Sequence, residues 1–347
     1  MLLTNYSFLR LCKMEIYAVA VLIIIVLLLL TGIIYQRISL DRETRHDPPP
    51  GRLVDVGGYK LHLNCVGQGS PTVIMDYGLG GLSPLWGLIE PQVAQWTQVC
   101  TYDRAGYGWS DPSQFPRTSE QMVEELHRLL TQAEINPPYI LVGHSLGGLN
   151  MRLFASLYPE QVAGLVLVDA VPANVYSRLS PVFAKNMGQI RSLFGRLVWV
   201  SRLGLLRLSV QWLGSAAMPD FVRKLPPLLQ NRVISQFVPR TFQTAIAESQ
   251  LLEQSAETVN QIQFPRDLPL VVLSQGINMF SDSTDKKAGL IWQELQAEMA
   301  QLSTQGCLRI AKTSGHNIHI DQPELVVEAI KEVLTKSDIQ FRCVTLR

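Results

Sequence analysis

A serine with a glycine two positions to either side, Gly143-His144-Ser145-Leu146-Gly147, is the element of this chain best suited to covalent chemistry. Tyr139-Ile140-Leu141-Val142 before it reads as a strand, and 149–157 after it has helical spacing. A sharp strand-to-helix turn holds such a serine in a strained conformation, its hydroxyl exposed beside the amides that open the helix. The glycines have a steric task, because a Cβ at either position would clash where the backbone segments close on each other. A neutral hydroxyl is a poor nucleophile near pH 7 and requires a general base, for which histidine titrates in the right range. Of six histidines, His46, His62 and His127 precede the serine, in a linker, an early strand and a helix face. His144 lies inside the turn itself, with its side chain directed away from the hydroxyl, and reads as packing. His316 is different. It follows an apolar run (307–311) that reads as a last strand, and it precedes a helix signalled by Asp321 and Glu324 as a capping box. His316 is thus expected in a loop at a strand's C-terminal end, where Ser145 also lies, while His319 reads as structural.

Acyl chemistry at a serine also needs donors for a developing oxyanion. The strand-like 71–77 runs into Gly78-Leu79-Gly80-Gly81, a turn that lets a backbone N–H approach a substrate carbonyl. Leu79, or alternatively Gly80, is the expected donor there, and the Leu146 amide the second. A phosphate-binding reading of these glycines is weak, since no lysine follows in Walker spacing and no G-x-G-x-x-G occurs.

Taken together, these pieces resemble the α/β-hydrolase superfamily, in its esterase-like, lipase-like and haloperoxidase-like branch. The resemblance rests on Tyr77-Gly78-Leu79-Gly80-Gly81, on Tyr102-Asp103-Arg104-Ala105-Gly106-Tyr107-Gly108-Trp109-Ser110, on the turn around Ser145, and on Ser314-Gly315-His316. It covers roughly 52–336. Many relatives carry His-Gly where this chain has Tyr77-Gly78; as the donor is backbone, the hole is altered locally rather than lost. Relatives that open epoxides or displace halide use an aspartate at the position of Ser145. The resemblance implies a triad acid in one of two places. After the strand 270–274 come Gln275-Gly276-Ile277-Asn278-Met279-Phe280, without an acid, and Asp282 and Asp285 follow only later in a polar stretch. The other place is the end of the sixth strand, where Leu165-Val166-Leu167-Val168 runs into Asp169. Asp169 is therefore the expected partner of His316, with Asp282 and Asp285 as alternatives.

The elements that must position these residues alternate along the chain. Strand-like runs at 72–76, 98–102, 139–142, 164–169, 270–274 and 308–311 are separated by helical patterns at 85–96, 120–133, 149–158, 288–302 and 324–334, after a hairpin of 53–55 and 60–66. That rhythm predicts an α/β fold with a mostly parallel sheet flanked by helices. It breaks between 171 and 267, where the family inserts a helical cap. Within that stretch 190–213 carries Arg191, Arg196, Arg202 and Arg207 among Leu, Val, Trp and Phe. The segment suits a cap helix lining a lipophilic pocket, packing on the core, or a membrane surface.

Residues 16–35 contain no charge, and twenty helical residues span about 30 Å, the thickness of a bilayer's hydrocarbon core. The run exceeds a usual signal-peptide core and no A-x-A site follows it, so an uncleaved single-pass anchor is expected. Basic residues on both sides leave its orientation open. Asp47-Pro48-Pro49-Pro50-Gly51 reads as a stiff spacer. The expected organisation is a tail (1–15), an anchor (16–35), a linker (36–51), a hydrolase core in two parts (52–170 and 268–336) around a cap (171–267), and a tail (337–347). With 17% charged residues and a net charge of +1, nucleic-acid binding has no electrostatic support. Five cysteines without C-x-x-C spacing suggest neither a disulfide framework nor a zinc site; Cys65, Cys100 and Cys307 read as small buried hydrophobes. The reading is a membrane-anchored serine hydrolase acting on an ester, thioester or similar acyl compound, expected to be lipophilic by the cap composition, without cofactor or metal. Acyl transfer, peptide cleavage or perhydrolysis by the same triad, and a non-catalytic receptor on a hydrolase scaffold, are the alternatives.

Overall fold

The computed structural model describes residues 2–278 and 286–335, with side chains from Glu15 onward except at 44, 46 and 286. Asp282 and Asp285 lie outside the described residues. The sheet begins with the hairpin β1 (Arg52–Asp55) and β2 (Lys60–Val66), followed by β3 (Thr72–Asp76), β4 (Val99–Asp103), β5 (Tyr139–His144), β6 (Val162–Val168), β7 (Leu270–Gln275) and β8 (Gly306–Ala311). Its spatial order is β1-β2-β4-β3-β5-β6-β7-β8. β1 and β2 pair antiparallel, as do β2 and β4, and every further pairing is parallel. β3, β4, β5 and β7 are buried along their whole length. This explains why they read as unbroken apolar runs: a parallel strand covered on both faces has no solvent side to alternate toward.

The helices, in chain order, are α1 (Leu2–His46), α2 (Glu90–Val93), α3 (Ser119–Gln132), α4 (Leu146–Leu157), α5 (Val175–Leu179), α6 (Val182–Arg202), α7 (Leu205–Leu213), α8 (Asp220–Arg223), α9 (Pro227–Ser235), α10 (Pro239–Gln250), α11 (Leu252–Gln261), α12 (Lys286–Ala300), α13 (Ile318–Asp321) and α14 (Pro323–Thr335). One face of the sheet is covered by α3, α4 and α12 through Leu126, Leu129, Leu149, Phe154 and Trp292. The other face is covered by Trp86, Val93 of α2 and Val326, Ile330 and Val333 of α14. Seven helices, α5 to α11, fall between β6 and β7, where the strand-helix alternation stops.

Several sequence expectations are corrected. The pattern at 85–96 is not one helix; Pro84 and Pro91 divide it into a 3₁₀ turn, Ser83–Trp86, and the single turn of α2. The segment 190–213 breaks at Gly204, whose φ of +68° ends α6 and starts α7 on a new axis. Asp321 does not cap α14. It closes α13 and instead accepts from Ser314 Oγ (3.1 Å) and Gly315 N (3.3 Å), bracing the loop that carries His316. Cys65 and Cys100 are not two separate buried thiols but a disulfide, because the antiparallel register of β2 on β4 sets them directly opposite, and Cys307 is likewise disulfide-bonded rather than a free buried thiol. Residues 36–51 are not a free linker: α1 continues unbroken to His46, and Asp47 then pairs with Arg232 of α9 at 2.9 Å.

Candidate active site

The turn after β5 has the geometry its glycines require. Ser145 sits at φ 54°, ψ −119°, a left-handed backbone that a side-chain-bearing residue rarely adopts. A Cβ at Gly143 would lie 2.5 Å from the Gly147 carbonyl oxygen, and one at Gly147 would lie 2.4 Å from the Asp76 carbonyl oxygen. No L side chain fits either space. The conformation is pinned by the Ser145 carbonyl, which accepts from Gly148 N and Val171 N at 3.0 Å each. Leu146 opens α4, so its N–H belongs to the first-turn amides that have no intrahelical partner.

Asp169 follows the last residue of β6 and also takes a positive φ, 42°. Its carboxylate is fully buried and held on three sides. Oδ1 accepts from Gln275 N at 3.1 Å and from Trp292 Nε1 at 3.0 Å, while Oδ2 meets His316 Nδ1 at 2.6 Å. A carboxylate so fixed sets both the ring orientation and the tautomer of the histidine, placing the proton on Nδ1 and leaving Nε2 as acceptor. The His316 side chain remains 30% exposed. Its own carbonyl is fixed from the serine turn: His144 Nε2 donates to it at 3.0 Å, and the two rings lie 4.6 Å apart. Burial holds His144 neutral, far below the usual histidine range, so this donor keeps one tautomer. His319 is likewise neutral, pushed down to about 3 by burial and then by His316, and hydrogen-bonds Tyr77 Oη at 2.8 Å. His144, expected only to pack, thus also ties the base loop to the nucleophile turn.

The turn after β3 closes on the same point. A Cβ at Gly78 would meet Ser145 Cβ at 2.7 Å, so only glycine permits this approach. Gly80 N donates to Tyr107 Oη at 3.1 Å. That N–H of the turn is thus engaged. Arg104 and Tyr107 have no evident task in the sequence alone. In the fold Arg104 is buried, donating to Asp76 (2.7 Å), to both carboxylate oxygens of Glu248 on α10 (2.9 and 2.8 Å), to the Gly78 carbonyl (3.0 Å) and to the Tyr77 carbonyl. Tyr107 Oη completes the network by donating to Glu248 at 2.7 Å. The glycine turn is therefore clamped between the sheet and α10 through Arg104 and Glu248, which lie 144 residues apart in sequence. Only the arginine in Asp103-Arg104-Ala105-Gly106 hinted at this; neither Glu248 nor Trp292 carries a local signal.

Ser145, Asp169, His316 and Gly78 all follow the C-terminal ends of parallel strands, where open α/β sheets carry their sites. Comparison with known proteins agrees with this architecture. The model of the alpha/beta hydrolase family matches residues 78–329, and the chain belongs to that family. Among curated relatives, an uncharacterized protein of Schizosaccharomyces pombe is 26% identical over 319 residues, covering 82% of this chain and 56% of that protein. The (lyso)-N-acylphosphatidylethanolamine lipase of Bos taurus is 26% identical over 289 residues, covering 77% of this chain and 80% of the lipase. The chain spans about half the length of the first two curated relatives it matches, 56% and 45%. Solved neighbours include esterases, lipases and epoxide hydrolases. An epoxide hydrolase mutant of Vigna radiata superposes with a TM-score of 0.64 at 16% identity, over 82% of this chain and 98% of its own, a likeness of fold. One helix among the described residues is long and apolar enough to cross a membrane, Glu15–Glu43, and its apolar stretch is exposed.

Proposed function

We propose that the protein is a membrane-anchored serine hydrolase that cleaves an ester, thioester or similar acyl bond through an acyl-enzyme. The observation that carries this reading is the 2.6 Å bond between His316 Nδ1 and the buried Asp169, beside a serine held at positive φ. Ser145 attacks the acyl carbon as His316 Nε2 takes its proton. The imidazolium, stabilised by Asp169, then returns that proton to the leaving group. The N–H groups of Leu79 and Leu146 receive the oxyanion; one such donor is worth about 3–4 kcal/mol of transition-state stabilisation. Water repeats the sequence on the acyl-enzyme and regenerates Ser145. The serine disfavours epoxide opening, which relatives perform with an aspartate at that position.

The helices of 171–267 act as a cap in this reading. Phe194 of α6 supports it, since its ring lies 3.2 Å from where a Cβ on Gly80 would stand. The lipase relative supports a lipophilic acyl substrate, and the exposed apolar stretch of α1 supports an anchor. A fluorophosphonate probe tests the nucleophile: wild type should become covalently labelled and Ser145→Ala should not. Equal labelling of the two would end the assignment.

A further inference from the structure

The transmembrane reading of α1 has a geometric consequence for the cap. Residues 16–34 of α1 are exposed almost throughout, but from Gly32 onward one face is covered at helical spacing: Gly32, Tyr35, Gln36, Ser39, Leu40 and Glu43. The covering element is the corner between α6 and α7. A Cβ on Gly32 would stand 2.5 Å from the Leu203 carbonyl oxygen, and one on Gly204 would stand 2.8 Å from the Tyr35 ring. Tyr35 Oη also hydrogen-bonds Gln211 at 3.0 Å, two turns further along α7. Gly204, just before α7, and Gln211, near its end, therefore both meet Tyr35 of α1. Arg207 on the inner face of α7 donates from Nε to Gln36 Oε1 at 2.9 Å and pairs with Glu43.

These contacts fix a depth. If 16–35 spans the hydrocarbon core, Gly32 and Tyr35 occupy its last turn, and the α6–α7 corner packed on them stands at the same level, within the lipid interface. The outward side of the corner matches that setting. Trp199 is 62% exposed, Trp212 81% and Leu213 65%, and Leu205, Leu208 and Trp212 share one face of α7. The Arg202 guanidinium lies 4.9 Å from the Trp199 ring centroid, a basic-aromatic pairing suited to headgroups above acyl chains.

We propose that the α6–α7 corner is seated in the interface of the bilayer that α1 crosses, with Trp199, Leu205, Trp212 and Leu213 inserted among the upper acyl chains. The inference rests on the anchor reading of α1. It also deepens the proposed function, because α6 carries Phe194 at the glycine turn and Trp199 at the lipid, linking the site to the membrane surface by less than two helical turns.

The test uses the full chain in phosphatidylcholine–phosphatidylserine vesicles whose acyl chains are brominated near the glycerol or near the methyl end. Wild-type tryptophan emission should be quenched by the shallow label more than by the deep one. The double variant Trp199→Phe/Trp212→Phe should lose most of that quenching, since Trp86 and Trp292 are buried in the core. Quenching that persists unchanged in the double variant, or is absent in wild type, overturns the seating. Alkaline carbonate extraction separates the two readings. A chain retained in the pellet without tryptophan quenching sinks this inference alone, whereas a chain released to the supernatant sinks the anchor and the seating with it. Dimerisation that Trp212→Asp abolishes, without lipid quenching in wild type, would assign the face to a second copy and likewise overturn the proposal.

Discussion

Replacing Asp169 by asparagine should separate the chemistry of the site from its folding. Oδ1 receives two donors, Gln275 N at 3.1 Å and Trp292 Nε1 at 3.0 Å. In Asp169→Asn only the amide oxygen can sit against them, since an NH2 would face two N–H groups. The amide nitrogen must then take the place of Oδ2, 2.6 Å from His316 Nδ1. A donor there forces Nδ1 to accept and moves the imidazole proton to Nε2, the nitrogen that should receive the serine proton. The expected loss is about 10⁴-fold in kcat, equivalent to roughly 5 kcal/mol of barrier. Thermal stability should change little, because shape and both Oδ1 bonds are kept. Asp169→Ala provides the contrast: it withdraws the acceptor from buried donors, at about 1–3 kcal/mol for each one left unsatisfied. Steady-state turnover of a p-nitrophenyl ester, alongside thermal unfolding, reads both effects, with Asp282→Asn and Asp285→Asn as controls. If Asp169→Asn keeps kcat within about tenfold of wild type while Asp282→Asn or Asp285→Asn collapses, the tautomer argument is wrong and the acid is Asp282 or Asp285.

Three further outcomes follow from the packing around the site. Arg104→Met should destabilise the fold by about 3–5 kcal/mol in urea unfolding, because it leaves Asp76 and Glu248 as uncompensated buried charges; a loss under 1 kcal/mol would refute the clamp. Cys65→Ala/Cys100→Ala should lose up to about 4 kcal/mol, the closure entropy of a loop of sequence separation 35, and dithiothreitol should lower Tm by more in wild type than in this variant. The third concerns His62, whose Nδ1 faces Asp103 Oδ2 at 2.9 Å with both side chains buried. Burial pulls His62 down, but the bond and charge of Asp103 outweigh it and raise its pKa. Burial likewise pushes Asp103 up, and His62 with the Ser83 and Trp109 amides outweighs it and lowers the pKa. The stability that the carboxylate contributes is present above the ordinary Asp value near 3.9 and is lost as pH falls through the depressed pKa. The stability that the histidine contributes is present below the ordinary His value near 6.5 and is lost as pH rises through the raised one. Wild type should thus exceed His62→Gln in urea midpoint by more at pH 6 than at pH 9, and an equal gap at both would contradict the pairing.

What could be read in the sequence depended on whether the signal was local. Ser145 was legible because the steric demand of its turn is met by Gly143 and Gly147 within five residues. The β strands were legible because burial on both faces leaves long apolar runs, whereas Asp169 was singled out only by the family resemblance, which offers the end of the sixth strand as one place for an acid. The support of Asp169 was not legible. Trp292 and the Gln275 amide reach it across 123 and 106 residues, and a tryptophan in a helix looks the same whether or not its indole N–H has a carboxylate to bind. The Cys65–Cys100 bond needed the register of β2 on β4, which no spacing rule supplies across an intervening parallel strand. The helix break at Gly204 had a visible glycine, but isolated glycines are tolerated in helices, and only the positive φ imposed by docking on Tyr35 decides it. The α1 extension to His46 was hidden by charges that look like solvated linker and are partners of Arg207 and Arg232.

The three histidines near Ser145 show how one sequence pattern divides into separate physical tasks. The rings of His316 and His319 both lie within 4.6 Å of a shared neighbour, His144. Three imidazoles this close would compete for one proton if all were solvated. Burial removes two from the competition, holding His144 and His319 neutral below the usual range. Neutrality makes each a directional group: His144 donates to the His316 carbonyl, and His319 exchanges a hydrogen bond with Tyr77, which packs against Trp86 beneath the glycine turn. His316 alone combines a partly exposed ring with a carboxylate behind Nδ1. A positive charge arising there during acyl transfer would meet Asp169 on one side and uncharged rings on the other. The same arrangement predicts that filling His144 with a glutamine disturbs the His316 loop without altering which group takes the proton, so kcat should fall while the pH at half-maximal rate holds.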